Sequence, residues 1–151
     1  VCRQYLPEIQ RAEEAMCNGF LKVFKKLKDF RHDGSFEGWV RRLMIRESIS
    51  YLRREKKLRF TEIALDDDLQ IYESSPGNLE VEDMQKLIDH LPEGYRTVFV
   101  LYAIEGYQHN EIANLLEISE NTSKSQLHKA RKRLQQQLTI LNTYHDGANE
   151  I

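Results

Sequence analysis

The side chains near the C-terminal end that could do chemistry are polar and cationic groups suited to nucleic-acid recognition. Between Asn121 and Thr139 there are five Lys or Arg and no Asp or Glu. Leu127, Ala130 and Leu134 repeat at helical spacing, so their stripe is expected to face a core. At 100° per residue, the outward set is then Asn121, Thr122, Ser125, His128, Lys129 and Lys132, with Lys124 and Arg131 at its flanks.

The order of these outward residues is the order that base reading needs. Hydrogen-bonding side chains come first and most of the cations follow, as in a helix whose first turns reach base edges while later residues hold phosphates. A short turn containing Ile118 separates this helix from an apolar repeat at Ile112, Ala113 and Leu116, and Ser119 is expected to cap it. The pair predicts a helix-turn-helix. The alternative is a surface helix of an ordinary helical bundle.

A second candidate surface combines aromatic rings with arginines. Phe30, Phe36, Trp39 and Tyr51 lie among several Arg residues in the first third of the chain. Rings and guanidinium groups suit single-stranded nucleic acid, because bases stack on rings and the backbone follows the cations. The alternative is that Phe36 and Trp39 are core residues, since large apolar side chains are usually buried.

No group of residues predicts catalysis, a cofactor or a metal site. The histidines are scattered, and no Ser/His/Asp or Cys/His pairing recurs at a useful spacing. There is no Gly-rich phosphate loop. Cys2 and Cys17 have no His or acidic ligands at zinc-like spacing and do not form a disulfide framework, which predicts plain thiols in a reducing cytosol. We therefore expect a protein that is not an enzyme. The scattered histidines that would be the candidate catalytic groups or ligands are His32, His90, His109, His128 and His145.

The charge distribution is more informative than the net charge of −2. Residues 20–60 hold 13 Lys or Arg against five Asp or Glu, whereas residues 61–83 hold eight acids and no base. Together with the basic C-terminal helix, the order is basic, acidic, basic. This order predicts two surfaces for a polyanion and a connector that avoids it.

Helical periodicity and a shortage of Gly and Pro predict an all-α fold with two small domains. Seven Gly and three Pro argue against a turn-rich β-sandwich or barrel. Apolar repeats cover residues 5–17 and 20–30, the second with lysines on its other face, and Ser35 is expected to cap a long, broadly apolar helix. After the acidic segment, repeats indicate helices near 81–91, 98–104 and 108–116. The predicted parts are a domain 1–58, a linker 59–79, a helical domain 80–140 and a tail 141–151.

The ends and the hydropathy of the chain bear on its location. The longest apolar runs fall far below the ~20 residues that span a bilayer, so we expect no membrane insertion. The first residues contain no apolar segment of the signal-peptide kind. The chain begins at Val1 rather than Met, which predicts that it starts partway into the natural protein. The expected location is the cytoplasm.

Over about residues 1–138 the sequence resembles the extracytoplasmic-function (ECF) sigma factors, the small two-domain initiation subunits of bacterial RNA polymerase. Its first half resembles sigma region two at Ala12-Glu13-Glu14, at residues 20–27, at residues 35–43 and at residues 49–54. Its second half resembles region four at residues 91–96, 105–107, 111–113 and 121–131. The chain departs from the usual family residues at Cys17, Asn18, Arg46, Ser50, Ser123 and Gln126.

The resemblance implies a division of labour between the two domains, with an acidic linker that follows the RNA exit path. For binding core polymerase it implicates Glu13, Glu14, Asn18, Lys22 and Lys25. For melting and reading the −10 single strand it implicates Phe36, Trp39, Arg42, Arg46, Ser50, Arg53 and Arg54. For reading the −35 duplex it implicates Ser119, Asn121, Thr122, Lys124, Ser125, His128, Lys129, Arg131 and Lys132. It also implies an anti-sigma factor as a partner.

Two other classes of protein remain open on the sequence. A helix-turn-helix regulator would bind duplex DNA without polymerase core, as a dimer on two-fold symmetric half-sites. A protein-interaction bundle would bind neither promoter nor core. A sigma factor would instead bind free DNA poorly and need core polymerase.

Overall fold

The computed structural model describes residues 1–55 and 81–148, with side chains for residues 1–55 and 84–140. The chain divides into two compact units, Val1–Arg59 and Phe60–Ile151. The predicted all-α class is confirmed, since the described parts of the chain hold helices and no strand. The predicted acidic linker lies outside the described residues. Among those residues, no helix combines the length and the hydropathy that a bilayer span requires.

The described part of the first unit, residues 1–55, contains three α-helices. A short helix α1 at Cys2–Tyr5 leads to α2 at Ile9–Lys26, which continues as one 3-10 turn. The two apolar repeats predicted on either side of residue 18 therefore form a single helix. The third helix, α3, spans Phe36–Arg54. Its N-cap is Ser35, whose hydroxyl accepts a hydrogen bond from the Gly38 backbone N–H at 3.0 Å, as predicted.

Helix α2 packs through its small residues rather than its large ones. The residues of α2 that are buried are Ala12, Ala15, Gly19 and Val23. A Cβ at Gly19 would lie 2.3 Å from Met44 Sδ, so the Met44 side chain of α3 occupies the space that a side chain at position 19 would need. The apolar stripe of an amphipathic helix ordinarily faces a core. Here Phe20 and Phe24 are 44% and 72% exposed, because the small-residue face beside them makes the contact.

Helix α3 buries a broad face against α1 and α2. Met44, Ile45, Ile49 and Leu52 form that face. Trp39, which begins its apolar pattern, is only half-buried. One side of α3 is therefore open to a partner.

The second unit begins with α4 at Val81–Asp89 and α5 at Glu93–Phe99, followed by a π-helical turn at Val100–Ile104. The sequence predicts helices near 81–91 and 98–104, with residues 92–97 between them. In the structure Pro92 is the N-cap of α5, a place where its missing N–H costs nothing. The buried Arg96 donates from Nη1 to the carbonyl oxygens of Asp89 (2.7 Å) and Leu91 (3.0 Å), which satisfies the free end of α4.

The last two helices carry the predicted helix-turn-helix. Helix α6 spans His109–Leu116, and α7 spans Glu120–Ala148. Helix α7 thus continues through residues 141–148, which the sequence assigned to a tail. The predicted stripe of Leu127, Ala130 and Leu134 is buried, as expected, against α5 and α6.

Candidate nucleic-acid interfaces

The turn between α6 and α7 is short and closely hydrogen-bonded. Glu117 adopts the left-handed conformation (φ 58°, ψ 44°) and ends α6. The backbone N–H of Ile118 donates to the Ala113 carbonyl oxygen at 3.0 Å. The Ser119 hydroxyl accepts from the Thr122 backbone N–H at 3.0 Å, so Ser119 is the predicted cap of α7. These bonds fix the direction in which α7 leaves the turn.

The predicted outward face of α7 is outward in the structure. Five of its members are exposed, namely Asn121, Lys124, His128, Arg131 and Lys132. Three are half-buried, namely Thr122, Ser125 and Lys129. The hydroxyls of Ser119 and Thr122 lie 2.9 Å apart and bond each other, so the cap already occupies both. Lys124 Nζ is 3.8 Å from Glu120 Oε2 and can release that exposed partner at low cost.

Behind this face lies a polar and aromatic cluster that sequence reasoning missed. Ser123 is fully buried on α7, and its hydroxyl is 2.9 Å from His109 Nδ1 on α6. The Tyr102 ring, in the π-helical turn, stacks on the His109 ring at a centroid distance of 4.7 Å. The guanidinium of Arg131 lies over the Tyr102 ring, 5.6 Å from its centroid. A polar residue on the buried stripe was the only sequence signal.

The surroundings of His109 favour its neutral form. Burial lowers the pKa of His109, the nearby charge of Lys124 lowers it further, and Arg131 acts in the same direction. The carboxylate of Glu120 opposes them. The ring is therefore an uncharged hydrogen-bonding partner for Ser123 near neutral pH.

This pKa shift predicts an acid-sensitive second unit. The folded-state pKa of His109 lies below its unfolded value of about 6.5, so the unfolded chain binds the proton first as the pH falls. The stabilisation is present above about pH 6.5 and is lost as the pH falls from there through the folded-state pKa. We expect His109→Asn to flatten this pH dependence. Urea midpoints of the α7 amide NMR signals across the window measure it, and parallel profiles would contradict the prediction.

The open side of α3 brings most of the predicted −10 residues together. Their spacing of three or four residues places them on one face, and each is exposed or half-buried. The members of this face are Trp39, Arg42, Arg46, Ser50 and Arg53. The face combines hydrogen-bonding, cationic and aromatic groups along about four turns of helix.

An aromatic cluster stands at the N-terminal end of that face. The centroids of Phe36 and Trp39 are 5.8 Å apart with stacked rings, and Phe30 packs against both at 5.4 and 5.5 Å. The exposed fraction of Phe36 is 48%, so the interpretation of Phe36 as a core residue is wrong. The three rings stabilise one another and still present apolar surface on which a base could stack.

The fourth aromatic residue, Tyr51, belongs to the core of the first unit. Its hydroxyl donates to Glu14 Oε2 at 3.1 Å and so links α3 to α2. Burial raises the pKa of the Tyr51 phenol, and the hydrogen bond to Glu14 adds to the rise. The phenol therefore stays protonated and remains a donor. Tyr51 is thus not a ring offered to a base.

One predicted polymerase-binding residue and one predicted −10-binding residue contact the same buried carboxylate. Glu47 is 3% exposed and forms an ion pair with the Lys22 ammonium on α2. Arg54 Nη2 lies 3.6 Å from the same carboxyl group, and its guanidinium also lies over the Tyr51 ring. A buried carboxylate needs such partners, because its desolvation is costly. Lys22 and Arg54 are therefore structural residues before they are binding residues.

The pair predicts a stability effect at Lys22. Lys22→Met leaves Glu47 with only the longer contact to Arg54, and we expect a loss of about 2 kcal/mol in the free energy of unfolding. Lys25→Met, the same change at an exposed position of the same helix, is expected to cost under about 0.5 kcal/mol. Urea unfolding followed by the fluorescence of Trp39, the only Trp of the chain, measures both. Equal losses would show that Glu47 does not depend on Lys22.

The remaining predicted polymerase-binding residues divide between two sides of α2. Glu14, Asn18 and Lys25 share one face at helical spacing, and all three are exposed or half-buried. Glu13 lies on another side, with Phe20. The sequence missed Leu21, which is 57% exposed and lies on the face of Glu14, Asn18 and Lys25. Its exposed apolar surface is available for burial by a partner, which would be favourable.

Neither cysteine takes part in a disulfide. Cys2 is buried and Cys17 is exposed on α2, both as free thiols. Within residues 1–55 and 81–148, no three His, Cys, Asp or Glu side chains come close enough together to hold a metal ion.

Two family models match the chain, one on each unit. The model of sigma-70 region 2 matches residues 1–58, and the model of sigma-70 region 4 matches residues 82–134. The first match contains α1 to α3. The second contains the helix-turn-helix and the part of α7 that carries the outward face.

The curated relatives that match this chain include RNA polymerase sigma factors. The chain is 29% identical to the ECF RNA polymerase sigma factor SigE of Mycolicibacterium smegmatis over 84% of its own length and 51% of that protein's length. It is 29% identical to the sigma factor SigV of Bacillus subtilis (78% of this chain, 70% of SigV). It is 27% identical to the ECF sigma factor SigW of the same organism (93% and 82%). The chain thus spans about half of the first of these relatives.

A solved structure has a similar fold. It is the sigma factor RpoE from Bartonella quintana, crystallised with the anti-sigma factor NepR, and it is 20% identical to this chain. The TM-score is 0.60, with 92% of this chain and 88% of RpoE covered. At this identity the likeness concerns the fold alone. With both region models matched in order and ECF relatives covering most of its length, the chain belongs to the sigma-70 family, in its ECF group.

Proposed function

We propose that this chain is a sigma factor that directs bacterial RNA polymerase core to specific promoters and initiates transcription. The observation that carries the proposal is the presence, on one chain, of two nucleic-acid surfaces of different kinds. The open face of α3 has rings and arginines suited to a single strand. The outward face of α7 has a helix-turn-helix arrangement suited to a duplex. A regulator that binds only duplex DNA needs the second surface and not the first.

The first unit reads the −10 element on the strand that is displaced when the duplex melts. Phe36 and Trp39 offer rings on which a base stacks, with Phe30 supporting both. Arg42, Arg46 and Arg53 follow the phosphates, and Ser50 offers a hydroxyl to a base. Arg54 adds charge, although its first partner is Glu47.

The second unit reads the −35 element in the major groove. Asn121 and Ser125 face base edges, since they lie in the first turns of α7 and on its outward face. The cations further along position the helix on phosphates. These are Lys129, Arg131 and Lys132, with Lys124 and His128 beside them. Ser119 and Thr122 contribute through the cap that starts the helix.

The first unit also holds core polymerase, through α2. The docking face is Glu14, Asn18, Leu21 and Lys25. Lys22 supports this face from behind through Glu47, and Glu13 lies to one side. The protein therefore works in the cytoplasm, where core polymerase is. We propose an anti-sigma factor as a further partner, which is supported by the solved relative crystallised with one.

A run-off transcription assay with purified core polymerase tests this function. The templates are a library of random promoter fragments, and the control reactions contain core alone or the chain alone. Core-dependent initiation from a selected subset of templates, at fixed starts, is the expected result. It would also supply the −10 and −35 sequences. DNA binding by the chain alone, with no initiation, would overturn the proposal in favour of a helix-turn-helix regulator, and binding to neither would favour an interaction module.

A further inference from the structure

The two arms of the helix-turn-helix are joined at a second point, away from the turn. Helices α6 and α7 meet at the short turn that contains Ile118. His109 is the first residue of α6, about 12 Å from that turn along an eight-residue helix. Its Nδ1 is 2.9 Å from the hydroxyl of the fully buried Ser123, one turn into α7. Helices α6 and α7 are therefore joined at two separate points, the turn and the contact between His109 and Ser123.

This contact constrains the rotation of α7 about its own axis. Ser123 lies on the buried side, between the two proposed base-reading residues Asn121 and Ser125 in sequence. The hydrophobic effect that buries Leu127 and Ala130 is not directional, so burial alone distinguishes little between small rotations of the helix. A hydrogen bond is directional, and it weakens steeply when its angle changes. The bond at Ser123 therefore sets the direction in which Asn121 and Ser125 point.

A second contact, with the Tyr102 ring, fixes the orientation of the His109 ring. Tyr102 stacks on it with an interplanar angle of 25°, and Tyr102 in turn lies under the Arg131 guanidinium. The π-helical turn at Val100–Ile104 places Tyr102 there, and such turns often occur where a side chain has a special task. The His109 ring thus has both an orientation and a partner.

We propose that His109 is a positioning residue for −35 recognition, which it serves by holding α7 in its reading orientation through the hydroxyl of Ser123. The inference rests on the proposed function. It assigns to the pair a role in sequence discrimination, distinct from the general attraction of the Lys and Arg side chains to phosphates. Long flexible cations adjust to a small rotation of the helix, whereas base-edge contacts require close geometry.

Three variants distinguish the effect of the hydrogen bond from the effect of the ring packing. His109→Phe keeps a ring against Tyr102 and removes Nδ1. His109→Asn removes the ring and keeps a polar atom close to the position of Nδ1. Ser123→Ala removes the hydroxyl with the smallest change of volume, and it serves if a His109 variant does not fold. The readout is the ratio of affinities of the reconstituted holoenzyme for a promoter with its own −35 element and one with a scrambled −35 element.

We expect His109→Phe and Ser123→Ala each to lower this ratio about fivefold to tenfold, with the affinity for the scrambled promoter within about twofold of wild type. His109→Asn is expected to keep most of the wild-type ratio of promoter affinities. The double variant His109→Phe/Ser123→Ala loses no more than either single variant, because both remove the same bond. A purely structural role would lower the melting temperature and leave the ratio unchanged.

Several results would overturn the inference. They are an unchanged ratio in the folded variants, additive losses in the double variant, and His109→Asn behaving like His109→Phe. Failure of the proposed function is distinguishable from these, because the wild-type holoenzyme would then show no preference between the two promoters.

Discussion

Leu21→Asp is expected to reduce the affinity of the chain for core polymerase by about 100-fold and to leave its fold intact. Leu21 is 57% exposed, so its replacement removes little packing from the first unit. In the proposed complex its side chain is desolvated at the centre of a face bordered by Glu14, Asn18 and Lys25. Truncating such a central apolar anchor costs 2 kcal/mol or more, and a buried unpaired carboxylate adds to that cost.

Core binding by the purified chain, measured by competition with a labelled sigma factor, gives the affinity. The matched control is Leu21→Met, which keeps apolar volume and is expected to stay within about threefold of wild type. Trp39 fluorescence during urea unfolding shows whether Leu21→Asp is folded. Wild-type affinity in a folded Leu21→Asp chain would exclude this face of α2 from the polymerase interface.

A charge pair tests the same face independently. Lys25 lies on it, whereas Lys28 lies in the 3-10 turn that follows α2. Lys25→Glu is expected to weaken core binding about tenfold, and Lys28→Glu, with the same change of charge, much less. Similar losses at both positions would indicate a long-range effect of net charge rather than contact.

The helical class and the caps followed from local rules. The Ser35 hydroxyl bonds the Gly38 N–H, and Ser119 starts α7, because an N-cap needs only a short polar side chain in front of a periodic segment. The outward face of α7 was likewise predictable. Three apolar residues at helical spacing fix which side is buried, and the rest follows from 100° per residue.

The orientation of α2 could not be predicted from its own periodicity. Spacing shows that Phe20 and Phe24 share a stripe, but it does not show which stripe meets α3. That choice depends on Gly19, whose missing side chain allows Met44 to approach. Close contact through small residues buries backbone and Cβ atoms efficiently, and it leaves the neighbouring large residues exposed. The identity of the packing face is therefore a property of the pair of helices.

The polar cluster in the second unit could not be predicted from the sequence for a related reason. His109 and Ser123 are 14 residues apart, and each is unremarkable in its own helix. Their contact exists only because the turn at Glu117 folds α7 back across α6. Lys22 and Glu47, 25 residues apart, were hidden in the same way, so that a predicted binding residue proved to have a structural partner.

Lys132→Ala and Asn121→Ala are expected to damage −35 recognition in opposite ways. Lys132 is exposed far along α7, where the proposed complex would place a cation against phosphates. Its removal should weaken holoenzyme binding to every promoter by a similar factor and lower the slope of log affinity against log salt by about one. Asn121 is exposed in the first turn and carries a donor and an acceptor. Its removal should cost about 1–3 kcal/mol of discrimination at one base pair, because an amide reads a base edge with two bonds.

The two variants are compared on the same set of promoters, each with one substitution in the −35 element, at several salt concentrations. A reduced salt slope with an unchanged order of preference is the expected signature of Lys132→Ala. A changed preference at a single position with an unchanged slope is the signature of Asn121→Ala. Exchange of the two signatures would mean that α7 enters the groove by its later turns. If neither variant changes the salt slope or the base preference, the duplex contacts a different helix. Both side chains point away from the core that holds α7 in place, so they would otherwise face the DNA.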